Sequence, residues 1–411
     1  MRKQLLIIGF VWPEPKSSAA GSRMLQLINT FLSHNYKITF ASPCSKNDNA
    51  FDLESINVSK VSIELNTSSF DDFIKDLQPN IVLYDRFMME EQFGWRVAEQ
   101  CPEALRILDT EDLHCLRKGR QQAFNDKKSF DTSYLFNDIA KREIASIYRS
   151  DLSLIISEAE INILHSEFKI EGSLLYYLPF MLNKVNGKKI ECLPKFKDRY
   201  NFISIGNFLH NPNYNSVLYL KETIWPLIRQ KLPKAKLNIY GAYVSEKVMQ
   251  LHNPTQGFYI KGFANDVNEI MQYAKVCLAP LCFGAGLKGK LIDAMQNGTP
   301  CVTTTIGAEG MFGDLEHNGY VENDPKIFAC RAIELYSNES LWETKQQNGF
   351  KVINTRFDKT NFEKDFIKTI ETLRFNLQQH RLQNFTGEML QHHTLQSTKF
   401  MSKWIEEKNR N

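Results

Sequence analysis

The segment 284–291, GAGLKGKL, combines three glycines with two lysines between the apolar run VCLAPL and an amphipathic stretch. Glycines let the backbone come close to a ligand, and free N–H groups at a helix start favour an anion. Lys288 and Lys290 would lie in or beside the first helical turn, where the helix dipole disfavours cations. Two lysines at a position that the helix dipole disfavours predict that an external anion binds to both. The alternative is a pair of solvated surface lysines.

The same octapeptide satisfies two short nucleotide-binding patterns. GxGxxG is matched by Gly284, Gly286 and Gly289, with Glu309 near the distance of a ribose-binding acid. GxxxxGK is also matched, but Leu291 stands where a P-loop has the Ser or Thr that binds magnesium. In a dinucleotide-binding domain the GxGxxG segment follows the first strand of the sheet. Here at least four candidate strands of the second unit precede the segment, and only one follows it. The context therefore disfavours both a dinucleotide enzyme and a P-loop NTPase.

A second group of reactive side chains lies in LDTEDLHCLRKGR, residues 108–120, directly after the apolar run ALRILD. Side chains at the carboxyl end of a parallel strand face the ligand crevice of such a sheet. Asp112 and His114 are the candidates for catalysis here. The alternative is that both residues cap and decorate the start of the next helix.

These two segments belong to a chain in which short apolar strands alternate with helical stretches. This pattern predicts α/β domains with parallel sheets covered on both faces. It is interrupted once by the polar stretch 183–198, and strand signals end near Pro325. We therefore expect two Rossmann-like doubly wound domains facing a cleft, with C-terminal helices that pack back towards the first domain. The predicted divisions are 1–182, the linker 183–198, 199–358 and the helices 359–411.

Composition narrows the class of protein. The 411 residues are 43% hydrophobic, which excludes disorder as the dominant state, and 50 Lys and Arg against 47 Asp and Glu leave a formal charge of +3. That charge is not the basic footprint of a nucleic-acid binder. The eight cysteines are scattered without zinc spacing, and the N-terminal apolar run is too short for a membrane span. We expect a cytoplasmic protein, working at the inner face of a membrane if its acceptor is lipid-linked.

The run 259–311 resembles the donor-binding half of GT-B glycosyltransferases, close to the retaining enzymes of family 4. The similarity extends over about 200–312 and, in the first 45 residues, over the glycine-containing first loop and helix. In the matching motif, Asp293 stands where the family has the second glutamate of E-x7-E, which binds ribose, whereas the first glutamate falls on Ala285. The paired lysines of the GAGxKxK variant would then meet the donor diphosphate, with Lys290 as a catalytic charge stabiliser.

The resemblance also implies the remaining donor-binding residues. Lys261, Gly262 and Phe263 match the segment beside the base, and Gly307, Ala308 and Glu309 match a loop that closes over the ribose or sugar. Gly286 and Leu287 lie in the donor loop itself, and Asn207 lies in the loop after the first strand of this domain, where the family's basic residues are absent. Across the cleft, Gly21 and Arg23 correspond to the loop that approaches the donor phosphates.

The implied reaction is transfer of a sugar, with retention, from a nucleoside diphosphate-sugar to a hydroxyl of a glycan or lipid-linked acceptor. No metal and no cofactor is expected, because lysines and helix N-terminal amides can stabilise the leaving diphosphate. Peripheral membrane contact is compatible with a lipid-linked acceptor, and nucleic acid is not an expected partner. The alternatives are a nucleotide-sugar epimerase or hydrolase of the same fold and a non-catalytic nucleotide-binding module.

Overall fold

A computed structural model describes residues 3–45 and 48–409 of the chain. It contains two all-parallel sheets, one of seven strands in the order β3-β2-β1-β4-β5-β6-β7 and one of six in the order β10-β9-β8-β11-β12-β13. In both sheets the strand order reverses beside the first strand. Ligands bind at such a switch point, outside the carboxyl ends of the strands.

The central strands of the first domain are apolar runs that are buried on both faces of the sheet, as a parallel sheet requires. Its strands are β1 Gln4–Ile8, β2 Lys37–Ser42, β3 Ser59–Ser62, β4 Ile81–Asp85, β5 Leu105–Asp109, β6 Leu152–Ile155 and β7 Leu175–Tyr177. Its helices are α1 Ala19–Ser33, α2 Ser69–Leu77, α3 Phe87–Gln100, α4 His114–Asn125, α5 Asp138–Arg149 and α6 Glu158–Ser166. A short helix, α7 Gly187–Cys192, lies within the stretch predicted as a linker.

The second domain repeats this layout. Its strands are β8 Tyr200–Ile205, β9 Leu237–Tyr240, β10 Phe258–Gly262, β11 Ala274–Ala279, β12 Cys301–Thr303 and β13 Gly319–Val321. Its helices are α8 Asn211–Tyr219, α9 Trp225–Lys231, α10 Glu246–Met249, α11 Val267–Gln272, α12 Gly289–Gln296, α13 Thr305–Ala308, α14 Pro325–Ser337 and α15 Glu339–Arg356. A π-helical turn at Leu220–Ile224 joins α8 to α9.

Two short strands differ from the sequence-based expectation. β3 and β13 both lie at a sheet edge, and they have only four and three residues. Because β13 follows β12, two strands rather than one come after the glycine-lysine segment. Gly319 opens β13, and a Cβ there would lie 1.7 Å from the carbonyl oxygen of Cys301. The close pairing with β12 therefore requires glycine at this position.

The last helices return to the first domain. They are α16 Glu363–Phe375, α17 Leu377–Gln383 and α18 Phe385–Asn409. Phe366, Ile370 and Leu377 are buried in the core formed by β1, β2 and α1. Where the chain crosses back, the N–H of Leu182 donates to the carbonyl of Phe357 over 2.7 Å.

Candidate active site

A cavity of about 1010 Å³ lies between the carboxyl ends of the two sheets. This volume is at the upper end of the range for small-molecule sites. The first domain contributes the loops after β1, β4 and β5, and the second contributes those after β8, β10 and β11 together with the start of α12. Of the residues predicted from sequence, the cavity is lined by Asp112, His114, Asn207, Phe263, Gly286, Leu287, Lys288, Lys290 and Asp293.

Glycines bring the second domain's donor loop, residues 284–288, against the first domain. Gly286 has φ +64°, and a Cβ there would lie 2.9 Å from the Cβ of Asp112. At Gly289 a Cβ would lie 2.5 Å from the Cβ of Ala19. Any larger residue at these positions would push the two walls of the cavity apart.

The two lysines lie at the start of α12, which is preceded by Lys288 in an extended conformation. The ammonium group of Lys288 is turned back on its own loop and donates to the carbonyls of Gly286 and, over 2.9 Å, of Ala285. Lys290 donates to Oδ1 of Asn213 over 2.9 Å. Burial lowers the pKa of each lysine to about 8. Neither contact neutralises the charge of the lysine, so both ammonium groups can serve an anion in the cavity.

Asp293 lies one turn further along α12, on the same wall of the cavity. Burial raises the pKa of its carboxyl to about 7. No hydrogen bond from another described side chain satisfies this carboxylate, and it forms no salt bridge with a described lysine. It is therefore available to hydroxyl groups of a ligand.

On the opposite wall Asp112 is held by an arginine and lies beside a histidine. Its Oδ2 accepts from Arg117 over 2.8 Å, and Oδ1 lies 3.3 Å from Nε2 of His114. Burial works to raise the pKa of Asp112, but Arg117 and His114 lower it below its ordinary value. Burial lowers the pKa of His114 to about 4, so its imidazole is neutral at pH 7. Glu143, rather than either residue, accepts from the first N–H groups of α4.

Two cavity residues that sequence analysis missed have left-handed backbones. Arg86 has φ +72° and Glu111 has φ +64°, a conformation that costs non-glycine residues free energy and is concentrated at functional sites. Oε1 of Glu111 is buried without a hydrogen-bond partner among the described residues. Burial, followed by the charges of Asp109 and Asp85, raises its pKa well above the ordinary value. Glu111 was visible in the segment 108–120, but nothing in the sequence distinguished it from Asp112.

Glu160 is a third residue that sequence analysis missed. From the first turn of α6 its Oε1 accepts from the N–H of Gly286 over 2.8 Å and from that of Leu113 over 3.0 Å. Burial, followed by the charge of Asp112, raises its pKa to about 8. The residue thus connects the donor loop to the first domain, and only the folded arrangement of α6 could reveal it.

Comparison with known proteins gives this geometry a family context. Residues 199–338 match the family model described as glycosyl transferases group 1. The chain superimposes on a sucrose-phosphate synthase from Thermosynechococcus elongatus with a TM-score of 0.68, over 90% of this chain and 99% of that one at 15% identity. The second domain is a group 1 glycosyltransferase domain, and the chain has the GT-B fold. Its second domain, the one matched, carries both lysines and Asp293.

Two further comparisons give one similarity in sequence and one in fold. It is 25% identical to an uncharacterized 44.6 kDa protein in the cps region of Klebsiella pneumoniae, over 67% of this chain and 71% of that one. It also superimposes on Anabaena HepE, solved with UDP and glucose, with a TM-score of 0.65 at 13% identity over 91% of this chain and all of that one. No helix in the described part of the transferase is both long and apolar enough to cross a bilayer.

The structure corrects the role expected for the first loop of the transferase. Arg23 is 1% exposed and does not reach the cavity, because its guanidinium is bound to Asp109 over 2.9 Å and to the carbonyl of Leu178 over 2.7 Å. Gly21 does not line the cavity either. A Cβ there would lie 2.4 Å from the backbone of Glu14, so this glycine lets the loop after β1 pack on α1. Ser17, Ser18 and Ala19 line the cavity instead.

Five predicted donor-binding residues also lie outside the cavity lining. Lys261 is exposed and rests over the ring of Tyr259, while Gly262 has open space around it. Gly307 and Ala308 form part of α13, where the glycine packs on Thr303. Glu309 is bound to Arg120 of the first domain. Phe263 and Asn207 do line the cavity, and Asn207 also donates to the carbonyl of Ser17 over 3.3 Å.

Proposed function

We propose that the transferase binds a nucleoside diphosphate-sugar in the interdomain cavity and passes the sugar to an acceptor hydroxyl. The observation that carries this proposal is the pair of lysines at the start of α12, with Lys288 buried and Lys290 half-buried, both on the cavity wall. The first amides of a helix have no acceptor within it, and with the lysines they form a site suited to a diphosphate. Asp293 would accept hydrogen bonds from the ribose.

The chemical requirement is to stabilise charge on the departing diphosphate. Lys288 and Lys290 would do so from fixed positions in a closed cleft, where charges act more strongly than in water. The transfer would then need no metal. Retention at the anomeric carbon is part of the proposal and is supported by the resemblance of the donor loop to retaining enzymes. Asp112 and His114 would face the reacting sugar from the first domain, with Glu111 beside them.

For the donor, the HepE complex with UDP and glucose supports a UDP-sugar. For the acceptor, the relative in a cps region supports a glycan or a lipid-linked sugar. The acceptor would enter along the first-domain wall, which presents Arg86, Glu111 and Arg117. We propose a cytoplasmic enzyme that meets a lipid-linked acceptor at the inner face of a membrane by peripheral contact.

The deciding experiment is a calorimetric titration of the transferase with UDP, GDP, ADP, CMP and ATP, each with and without EDTA. Micromolar binding of one diphosphate that EDTA leaves unchanged supports the proposal and identifies the base. Binding of ATP alone with magnesium, or of no nucleotide, contradicts it. Incubation with the matching nucleotide-sugar but no acceptor then tests the epimerase and hydrolase alternatives, which would convert most of the donor.

Lys290→Ala tests the role of the second lysine. Because a principal charge stabiliser is removed, turnover of the nucleotide-sugar should fall by about 100-fold or more. Turnover is measured as release of the nucleoside diphosphate. Lys234→Ala is the matched control, since Lys234 is exposed in the loop before β9. Turnover of Lys290→Ala within about tenfold of the parent would remove Lys290 from this role.

A further inference from the structure

An arginine of the first domain reaches across the cleft into the second. Arg120, on α4, donates through its two terminal nitrogens to both carboxylate oxygens of Glu309, over 2.6 and 2.7 Å. It also donates to the carbonyl of Gly284, the first residue of the donor loop, over 2.9 Å. The side chains of Arg120 and Glu309 are 10% and 22% exposed. This is a two-point guanidinium–carboxylate contact in a largely desolvated place, the strong form of such pairs.

Glu309 is also an electrostatic neighbour of Lys288. Burial lowers the pKa of Lys288, and the charge of Glu309 is the largest influence acting in the opposite direction. Burial raises the pKa of Glu309, but Arg120 and then Lys288 bring it below its ordinary value. Among the described residues, the ammonium group nevertheless bonds only to carbonyls of its own loop, while the carboxylate bonds to Arg120. A Cβ on Gly284, whose carbonyl accepts from Arg120, would lie 3.7 Å from Cε of Lys288. The Arg120–Glu309 pair therefore lies beside the side chain of this lysine.

We propose that Arg120 is a positioning residue for transfer, which holds Glu309 away from Lys288 and so leaves that ammonium group free for the donor diphosphate. The proposal rests on the role suggested above for Lys288. It assigns Glu309 to the positioning of a lysine rather than to contact with the ribose or sugar.

The physical reason is the cost of a buried charge without a partner. If Arg120 is removed, the carboxylate of Glu309 stays in a poorly hydrated place and must find another cation. Lys288 is the candidate whose charge already acts on it. A Lys288–Glu309 pair would have to be broken before a diphosphate could bind. Replacing Glu309 by glutamine removes the competing charge, so it should cancel the effect of losing Arg120.

The test compares R120M, E309Q and the double variant R120M/E309Q, using UDP and uridine as calorimetric probes. R120M should weaken UDP binding by about 10- to 100-fold, the range for loss of a hydrogen bond to a charged group. Uridine binding should not change, because Lys288 faces the phosphates. The double variant should return to within about threefold of E309Q. K118M, on the exposed side of the same helix, is the matched charge control.

A contact that only holds the domains together predicts different results. In that case the double variant would bind UDP no better than R120M, and uridine binding would weaken as well. Either result overturns the proposal. An R120M variant that binds UDP as tightly as the parent also overturns it. R120K provides a second variant if R120M does not fold, and it should fall between R120M and the parent.

K288A separates failure of this proposal from failure of the proposed function. Unchanged UDP binding by K288A would show that Lys288 does not contact the diphosphate. The positioning role proposed for Arg120 would then have no basis either. Weakened UDP binding by K288A without rescue in the double variant would overturn the role of Arg120 alone.

Discussion

At the scale of single residues, the pKa values of the two cavity lysines give the transferase a measurable signature. An exposed lysine titrates near pH 10.4 and stays charged throughout the neutral range. Burial brings the pKa of Lys288 and of Lys290 to about 8. Both ammonium groups are therefore fully charged only below about pH 7, and they lose their protons as the pH rises through 8.

UDP affinity should consequently fall as the pH rises from 7 to 9, because the unbound transferase must first take up protons to bind the diphosphate. Calorimetry at pH 7, 8 and 9 measures this, and Lys290→Ala should show a shallower decline. Uridine is the control, because it makes no phosphate contact and its affinity does not depend on the lysines. Its affinity would change only with the ionisation of Asp293, because burial raises the pKa of that carboxyl to about 7. A UDP affinity that stays constant from pH 7 to 9 would contradict the assignment of the lysines.

The donor-loop residues whose place on the cavity wall could be predicted from the sequence share one property: that place follows from their neighbours in the chain. Lys290 and Asp293 lie on α12 and Lys288 directly precedes it, so their shared cavity wall follows from their spacing in the sequence. Arg23 could not be assigned this way, because its partner Asp109 is 86 residues away in sequence. The same holds for Glu160, whose Oε1 meets the N–H of Gly286 126 residues later. Sequence spacing carries no information about pairs of this kind.

At the scale of elements, the turn that leads into α12 depends on Gly286. Its φ of +64° costs any residue with a Cβ about 1–2 kcal/mol, and that Cβ would meet Asp112. Gly286→Ala should therefore displace the donor loop from the first domain and reduce turnover by about 100-fold, the typical cost of a 1 Å misplacement.

Gly187→Ala is the matched control for this substitution, because Gly187 begins α7 with no atom within 4 Å of an added Cβ. Both variants should be assayed for turnover and for their thermal midpoints. Parental turnover of Gly286→Ala would show that the close approach of the two walls is not needed for transfer.

The strands show how far local pattern carries at this scale. Apolar runs such as LLII and IVLY lie in central strands, where burial on both faces leaves a strong signal. β3 has the sequence SKVS and β13 has GYV, and both are edge strands without such a signal. A short edge strand forms because it pairs with a neighbouring strand in the folded sheet. Its local sequence alone therefore does not predict it.

At the scale of the whole molecule, several contacts hold the two domains in a closed arrangement around the cavity. Besides the Arg120–Glu309 pair, the hydroxyl of Tyr243 donates to the carboxylate of Glu14 over 2.7 Å. Arg356 donates to Glu158 over 2.6 Å. These three contacts are polar, and the rings of Phe124 and Phe283 also meet across the cleft with centroids 5.3 Å apart. The arrangement suits a reaction that must exclude water while a sugar is transferred.

The C-terminal helices make the first domain discontinuous in sequence, and α16 supplies part of its core. Phe366 is fully buried, with its ring 5.6 Å from that of Phe31 and 5.6 Å from that of Tyr176. Phe366→Ala should lower the free energy of unfolding of this domain by about 3–5 kcal/mol, as large-to-small changes of buried aromatic residues do. Phe375, in the last turn of the same helix, is 90% exposed. Its substitution by Ala should change that free energy by no more than about 0.5 kcal/mol.

Denaturant titration followed by circular dichroism measures the free energy of unfolding of both variants. A ligand stabilises the domain that binds it, so the unfolding transition that UDP shifts to higher denaturant belongs to the donor-binding domain. If α16 belongs to the first domain, Phe366→Ala should move only the transition that UDP leaves in place. A variant that moves only the UDP-stabilised transition would assign α16 to the second domain. Equal effects of the two phenylalanine substitutions would contradict the packing of α16 against β1 and α1.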